Sequence, residues 1–162
     1  MKDKKALIFY FLMTIILLDF GNQLKRIFEN PYISNKISNS IFSIFPISNT
    51  GSAFGMLQDK ASILAWFGIF AVVLIAIEVA KNISFTNDKT ELLSLTLFSA
   101  GALGNAIERI NSGYVADYIK LNFIDFPVFN AFDIMICTGI FLYCLCLFFD
   151  FKKAKKVKNE GN

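Results

Sequence analysis

Four long runs of apolar residues, separated by more polar segments, dominate the chain. Each run approaches the ~20 residues that an α-helix needs to cross the hydrocarbon of a bilayer. The pattern predicts an all-α membrane protein with four transmembrane helices, at about 6–30, 61–80, 92–110 and 131–149. The first run follows basic residues, as in a cleavable leader. No small-residue cleavage site follows it, so we interpret it as a retained helix.

The segment 31–60 has a different pattern. Its sequence "SIFSIFPISNTGSAFGML" combines β-branched and aromatic residues with a proline and an Asn-Thr-Gly turn signal. We expect a short strand or hairpin here, forming a small β-rich extracytoplasmic cradle between helices one and two. The whole chain, 1–162, is then a single integral-membrane domain that ends in a basic tail at 150–162.

The basic residues are distributed asymmetrically along the chain. Ten of the sixteen Lys and Arg residues lie in the N-terminal segment, the 81–91 loop and the C-terminal tail. Because cytoplasmic loops are enriched in Lys and Arg, both termini are predicted to be cytoplasmic and the two longer loops extracytoplasmic. These lysines flank apolar runs directly, which favours topology signals over a nucleic-acid partner.

The composition argues against metal chemistry. The chain is 55% hydrophobic and has no histidine, which removes the commonest general base and metal ligand. Its three cysteines, Cys137, Cys144 and Cys146, fall in one apolar run with no metal-binding spacing. We interpret them as small apolar helix residues and expect neither a metal nor a cofactor.

Polar and ionisable residues cluster at one predicted membrane depth. A charge near hydrocarbon costs about 2–3 kcal/mol, so independent coincidences at one depth are disfavoured, although any single residue near a helix end can snorkel. The set predicts a polar pocket at the outer interface. Its members are Asp19, Asn105, Glu108, Arg109, Asp117, Asn130 and Asp133.

Two of these acids, Asp117 and Asp133, suggest chemistry if they converge. Two close carboxyl groups cannot both ionise easily and share a proton. The ionised member can then activate water while the protonated member donates to a carbonyl oxygen. An alternative is a small ion- or proton-coupled transporter, which predicts ionisable residues through the full membrane depth. Predicted helices two and four carry none at their centres, and helix three carries none before Asn105, which favours surface chemistry.

Three motifs carry a resemblance over nearly the whole chain. "NTGSAFG" (49–55), "AGALGNAIERINSGYVADYI" (100–119) and "FNAFD" (129–133) resemble, in the same order, motifs of the bacterial lipoprotein signal peptidases, also called signal peptidase II. The resemblance implies a multi-pass aspartic endopeptidase of the bacterial cytoplasmic membrane with an extracytoplasmic site. It would cleave prolipoproteins before a diacylglyceryl-modified cysteine. We expect a monomer in contact with membrane lipids.

The resemblance also implies roles for individual residues. Asp117 and Asp133 fall where the family has its catalytic pair. Substrate-binding or dyad-supporting roles fall on Asn49, Gly51, Asn105, Arg109 and Asn130.

The chain departs from the family pattern in three places. Glu108 stands where the family has Asp, and Phe132 where it has Ala. Gln23 follows Asp19 where the family has Lys. We expect Asp19, Gln23, Arg26 and Glu108 to give polar structural support, with Arg26 reaching back to Asp19 or Gln23 sufficing alone. These departures leave a catalytically silent family member as a further interpretation.

Overall fold

The computed structural model describes residues 4–34, 36–52, 56–81 and 89–160. Predictions for residues 1–3, most of the 81–91 loop and motif positions 53–55 lie outside the described part. The elements in chain order are α1 (Lys4–Phe28), α2 (Pro31–Ser34), β1 (Phe42–Asn49), α3 (Ala61–Lys81), α4 (Lys89–Ser112), β2 (Val115–Leu121) and α5 (Ala131–Glu160). All four predicted long helices are present, and α5 continues into the predicted basic tail.

Within the described residues, three helices are long and apolar enough to cross a membrane: α1, α3 and the Ala131–Lys156 part of α5. They expose large apolar side chains over their length, such as Ile15, Phe67 and Phe141. Exposed apolar faces of this extent are typical of surfaces that contact lipid. Several such helices in one chain are typical of a multi-pass membrane protein.

Helix α4 is less apolar because it lies at the centre of the helical bundle. It packs against α1, α3 and α5. Its buried face carries small and hydroxyl residues, including Ser94, Thr96 and Ser99. The Thr96 hydroxyl donates to the Leu92 carbonyl at 2.7 Å, and Ser99 accepts from the Tyr10 hydroxyl at 2.8 Å. Small and hydroxyl residues allow close helix approach with their polar groups satisfied.

The two-stranded sheet takes one strand from each of two segments that are distant in the chain. Strand β1 confirms the strand predicted within 31–60, and its start makes a short local antiparallel contact through a Ser38–Ser43 bridge and a 2.9 Å hydrogen bond from the Ile44 N–H to the Ile37 carbonyl. It pairs antiparallel with β2, in a segment that the sequence treated as a loop. The ladder runs from Phe42 opposite Leu121 to Asn49 opposite Val115, and its register shifts between Ile44 and Ile47. The shift spans Pro46, which lacks the N–H that a regular ladder uses.

The loop after β2 folds back onto that strand. Phe129 and Ile119 exchange backbone hydrogen bonds of 3.1 and 2.8 Å, and the Tyr118 hydroxyl accepts from the Ala131 N–H at 3.1 Å. Tyr118 is buried against Ile44 and Ala131. These contacts place the start of α5 beside the middle of β2. They thereby bring Asp133, in the first turn of α5, close to Asp117 of β2.

The structure accommodates Phe132, one of the departures from the family pattern. Its side chain is only 2% exposed. The ring lies against Gly21 of α1 and Gly104 of α4, and a Cβ atom at either glycine would collide with it. Two glycines on neighbouring helices therefore provide the space that the larger side chain requires.

Candidate active site

Asp117 lies in the middle of β2 and is 2% exposed. The Asn49 side chain, at the end of β1, donates from Nδ2 to Asp117 Oδ2 at 2.8 Å. The Asn130 side chain donates from Nδ2 to Asp117 Oδ1 at 2.8 Å. Each carboxylate oxygen thus accepts a hydrogen bond from an amide.

Asp133 lies in the first turn of α5, where it completes a helix cap with Asn130. The Asp133 N–H donates to Asn130 Oδ1 at 3.0 Å, and the Asn130 N–H donates to Asp133 Oδ2 at 3.0 Å. This reciprocal pair has the geometry of a capping box, with Asn130 as the N-cap. The cap fixes the Asp133 carboxyl group at the positive end of the helix dipole, which favours negative charge.

A third asparagine connects the two acids. Asn130 Nδ2 donates to Asn105 Oδ1 at 3.1 Å, and Asn105 Nδ2 donates to Asp133 Oδ1 at 2.8 Å. Asn105 and Asn130 are buried, at 7% and 1% exposure. Asp117 and Asp133 are therefore joined through two buried amides on different elements, which leaves little freedom in their relative orientation.

Both carboxyl groups line one cavity of about 430 Å³. This volume lies within the range of small-ligand sites. The polar wall includes Asn49, Ser52 and Arg109 as well as the two acids. The remaining wall is mostly apolar and comes from the loop before α5 and the first turns of that helix; it consists of Phe126, Pro127, Val128, Phe129, Ile134, Ile136, Cys137 and Thr138.

The surroundings of Asp117 change its acidity. Burial raises its pKa from the ordinary value of 3.8 to about 6. The hydrogen bond from Asn49 opposes this rise, and the charge of Asp133 adds to it. The bond from Asn130 and the charge of Arg109 lower the pKa by smaller amounts. Asp117 is thus a carboxyl group that can hold a proton in mildly acidic solution.

Arg109 joins α4 to the turn after β1. Its Nη2 donates to the Gly51 carbonyl at 2.7 Å, while the Gly51 N–H donates to Asn49 Oδ1 at 3.0 Å. A Cβ atom at Gly51 would lie 2.6 Å from the Met56 carbonyl oxygen, so the turn has no room for a side chain. The buried Arg109 Nε has no hydrogen-bond partner among the described residues.

Glu108, on the same helix, contacts a different set of groups. Its Oε2 accepts from the Ala116 N–H at 2.9 Å and forms an ion pair with Lys25 Nζ at 3.2 Å. The sequence reasoning did not single out Lys25. Spacing along one helix predicts local partners, whereas this pair joins α1 to α4, and no sequence signal distinguishes Lys25 from its basic neighbour.

Asp19 contacts Gln23, which donates to it from Nε2. Both side chains are exposed, as is Arg26. Among the described residues no contact joins Arg26 to Asp19, so the observed geometry agrees with the alternative in which Gln23 is the partner of Asp19. The simple reason is distance, because one helical turn separates Asp19 from Gln23 and two separate it from Arg26.

The fold and the site define a helical membrane protein with an acidic, amide-linked site at one end of its helices. Among the described residues, no group of three or more His, Cys, Asp or Glu side chains could hold a metal ion. Comparison with known families assigns this class more narrowly. The family described as Signal peptidase (SPase) II matches residues 11–149.

Named relatives and solved structures agree with this match. The chain is 33% identical to the lipoprotein signal peptidase of Streptococcus agalactiae serotype Ia over 155 residues, covering 93% of this chain and 94% of the relative. It is 28% identical to that of Enterococcus faecalis over 161 residues, covering 98% and 99%. A solved "Bacterial membrane enzyme" superposes with a TM-score of 0.77 at 26% identity, covering 89% of this chain and 90% of that one.

The chain therefore belongs to the signal peptidase II family and is a protease. This assignment confirms the resemblance seen in the three motifs. It does not support the transporter interpretation. The roles of the individual site residues stay predictions, and their geometry forms the basis of the proposal below.

Proposed function

We propose that the protein is an aspartic endopeptidase that removes the signal peptide from prolipoproteins, cleaving just before a diacylglyceryl-modified cysteine. Asp117 and Asp133 form its catalytic dyad. The observation that carries the proposal is that both carboxyl groups line one cavity and are connected through the amides of Asn105 and Asn130. The lipoprotein signal peptidases among its relatives support the choice of substrate.

The two acids have different roles because their environments differ. Asp133 accepts from a backbone N–H and an amide at a helix N-terminus, which stabilises the ionised form. Asp117 is buried on a strand, and its raised pKa favours the protonated form. Asp133 then accepts a proton from the attacking water while Asp117 donates to the scissile carbonyl oxygen. The resulting tetrahedral intermediate collapses when Asp133 donates the proton it took from water to the leaving amine, and Asp117 recovers its proton from a hydroxyl group of the intermediate.

The cavity walls suit a substrate that is part peptide and part lipid. Asn49, the Gly51 turn and Arg109 provide polar groups near the dyad, where an extended peptide backbone can bind. The apolar wall, which includes Phe129, Ile134 and Cys137, is continuous with the exposed surface of α5 and accommodates acyl chains. Membrane lipids occupy this surface in the absence of substrate.

The proposed membrane arrangement follows from the direction of the helices and the positions of the lysines. Helix α4 crosses the membrane as well, which makes four spans together with α1, α3 and α5. The lower hydropathy of α4 reflects its central position. The C-terminal ends of α1 and α4 and the N-terminal end of α5 meet at the site. Both chain termini then lie on the opposite, Lys-rich side, which we assign to the cytoplasm of a bacterium. The dyad faces the extracytoplasmic side of the cytoplasmic membrane, and the enzyme acts as a monomer.

The test is cleavage of a diacylglyceryl-modified prolipoprotein by the purified protein in lipid–detergent micelles. We expect the wild type to cleave and both Asp117→Asn and Asp133→Asn to lose activity by at least about 100-fold, the typical contribution of an acid–base group. Asp125→Asn, an exposed acid in the loop before α5, is the control and should retain activity.

Two results would contradict the proposal. One is an inactive wild type, which would favour the catalytically silent interpretation. The other is substantial cleavage by either dyad variant. The same precursor without its lipid should be a poor substrate, since it lacks the group proposed to contact the apolar wall.

A further inference from the structure

An ion pair lies behind the proposed dyad, on the side of β2 that faces α1 and α4. One oxygen atom, Glu108 Oε2, accepts from the Ala116 N–H at 2.9 Å and contacts Lys25 Nζ at 3.2 Å. The Glu108 and Lys25 side chains are 7% and 22% exposed. Ala116 directly precedes Asp117 in β2. A single carboxylate thus connects two helices to the strand that carries one proposed catalytic acid.

Glu108 can hold the strand only while its own charge is compensated. A carboxylate buried to this extent is strongly destabilised when its ionic partner is removed. Such a carboxylate moves towards water, and that movement disturbs its bond to the Ala116 N–H. Lys25 is the cation within ion-pair distance of Glu108. Arg26, the next residue, is exposed and has no described contact with Glu108.

We propose that Lys25 is a positioning residue of the enzyme: by pairing with Glu108 and holding its carboxylate in place, it fixes the backbone of β2 so that Asp117 faces the cavity beside Asp133. The inference rests on the proposed dyad. Lys25 contacts neither dyad carboxyl group, so its effect passes through Glu108 and the Ala116 N–H. The substitution of Glu for Asp at 108 gives the side chain one more methylene with which to reach both Lys25 and β2.

The experiment is a double-mutant cycle between Lys25 and Glu108, measured as kcat and KM on the lipidated precursor together with thermal unfolding. Lys25→Met should lower kcat by about tenfold at nearly unchanged KM, because small misplacements of catalytic groups cost up to about 100-fold. Lys25→Arg keeps the positive charge and should restore most of the rate. Arg26→Met is the matched control and should behave as wild type.

The double variant Lys25→Met/Glu108→Gln gives the sharpest test. A glutamine amide oxygen can still accept from the Ala116 N–H, but it carries no charge that requires Lys25. The double variant should therefore be more active than Lys25→Met alone. A purely structural role would lower the unfolding temperature and leave kcat of the folded fraction intact.

Four outcomes would overturn the inference. These are a normal kcat for Lys25→Met, an effect confined to KM or to thermal stability, no rescue by arginine, and a double variant no better than the single one. The dyad variants separate this failure from failure of the proposed function. If Asp117→Asn and Asp133→Asn are inactive while Lys25→Met is normal, only the positioning role fails. If they cleave, the dyad itself fails.

Discussion

The hydrogen bond from Asn49 to Asp117 leads to a quantitative prediction about pH. This bond favours the ionised form of Asp117 and opposes the rise of its pKa to about 6. Its removal in Asn49→Ala should therefore raise the pKa further. A hydrogen bond to a charged group contributes about 1.5–3 kcal/mol, and 1.36 kcal/mol corresponds to about one pH unit. Because Asn49 is only partly buried, we take the low end and expect a rise of about one unit.

The sign of the effect on activity follows from the role of Asp117. As the proposed proton donor, Asp117 would act while protonated, so kcat/KM should fall as pH rises through its pKa. In the wild type this fall should be centred near pH 6, the value for the free enzyme. In Asn49→Ala the fall should be displaced by about one unit to higher pH.

The assay is initial-rate cleavage of the lipidated precursor at subsaturating concentration between about pH 4.5 and 8.5, a range set to bracket the expected pKa values. Only the position of the fall is diagnostic, since loss of a substrate contact at Asn49 would lower the whole curve. Asn122→Ala is the control, because Asn122 donates to the Asn39 carbonyl at the other end of the sheet. A fall that stays in place or moves to lower pH in Asn49→Ala would refute the reasoning.

Two further predictions concern the cap and the packing of α5. Asn130→Ser keeps a capping hydroxyl but loses the amide that donates to Asp117, so kcat should fall with little loss of stability. Asn130→Ala also loses the cap and should cost about 1 kcal/mol of stability, measured by chemical unfolding in micelles. Equal stability of the two variants would contradict the cap. Gly104→Ala should destabilise by about 1–3 kcal/mol through overpacking against Phe132, whereas Gly68→Ala, whose Cβ would lie 3.4 Å from its nearest neighbour, should not. Adding Phe132→Ala should relieve part of the stability loss caused by Gly104→Ala. If the stability losses of the two single variants simply add in the double variant, the two side chains do not compete for the same space.

The helices were predictable from the sequence because hydropathy over about 20 residues is a local property. Strand β2 was not, because Val115–Leu121 is short, contains Asp117 and Lys120, and pairs with a strand far away in the chain. Propensity is weak for such a strand, since its stability comes from its partner. The predicted strand in 31–60 was correct, but its longer pairing with β2 could not be predicted for the same reason.

The candidate site residues followed from motifs, whereas the connections between them did not. The sequence placed Asn105, Asn130 and both acids at one end of the helices, but it could not show that Asn130 caps α5 and also donates to Asp117. The same limit explains Lys25. Side-chain spacing predicts contacts within a helix, and the partner of Glu108 lies on another one.

The difference between the two acids arises from the secondary structure around them. Asp133 is held by a helix cap, which any stable α5 would need, and the cap supplies the hydrogen bonds that stabilise its negative charge. Asp117 lies on a strand, where there is no helix dipole and burial dominates. Asn130 belongs to both environments, because its backbone and carbonyl oxygen form the cap while its amide donates to Asp117. A change at Asn130 should therefore affect both the start of α5 and the protonation of Asp117, so the proposed dyad chemistry is coupled to the fold of α5.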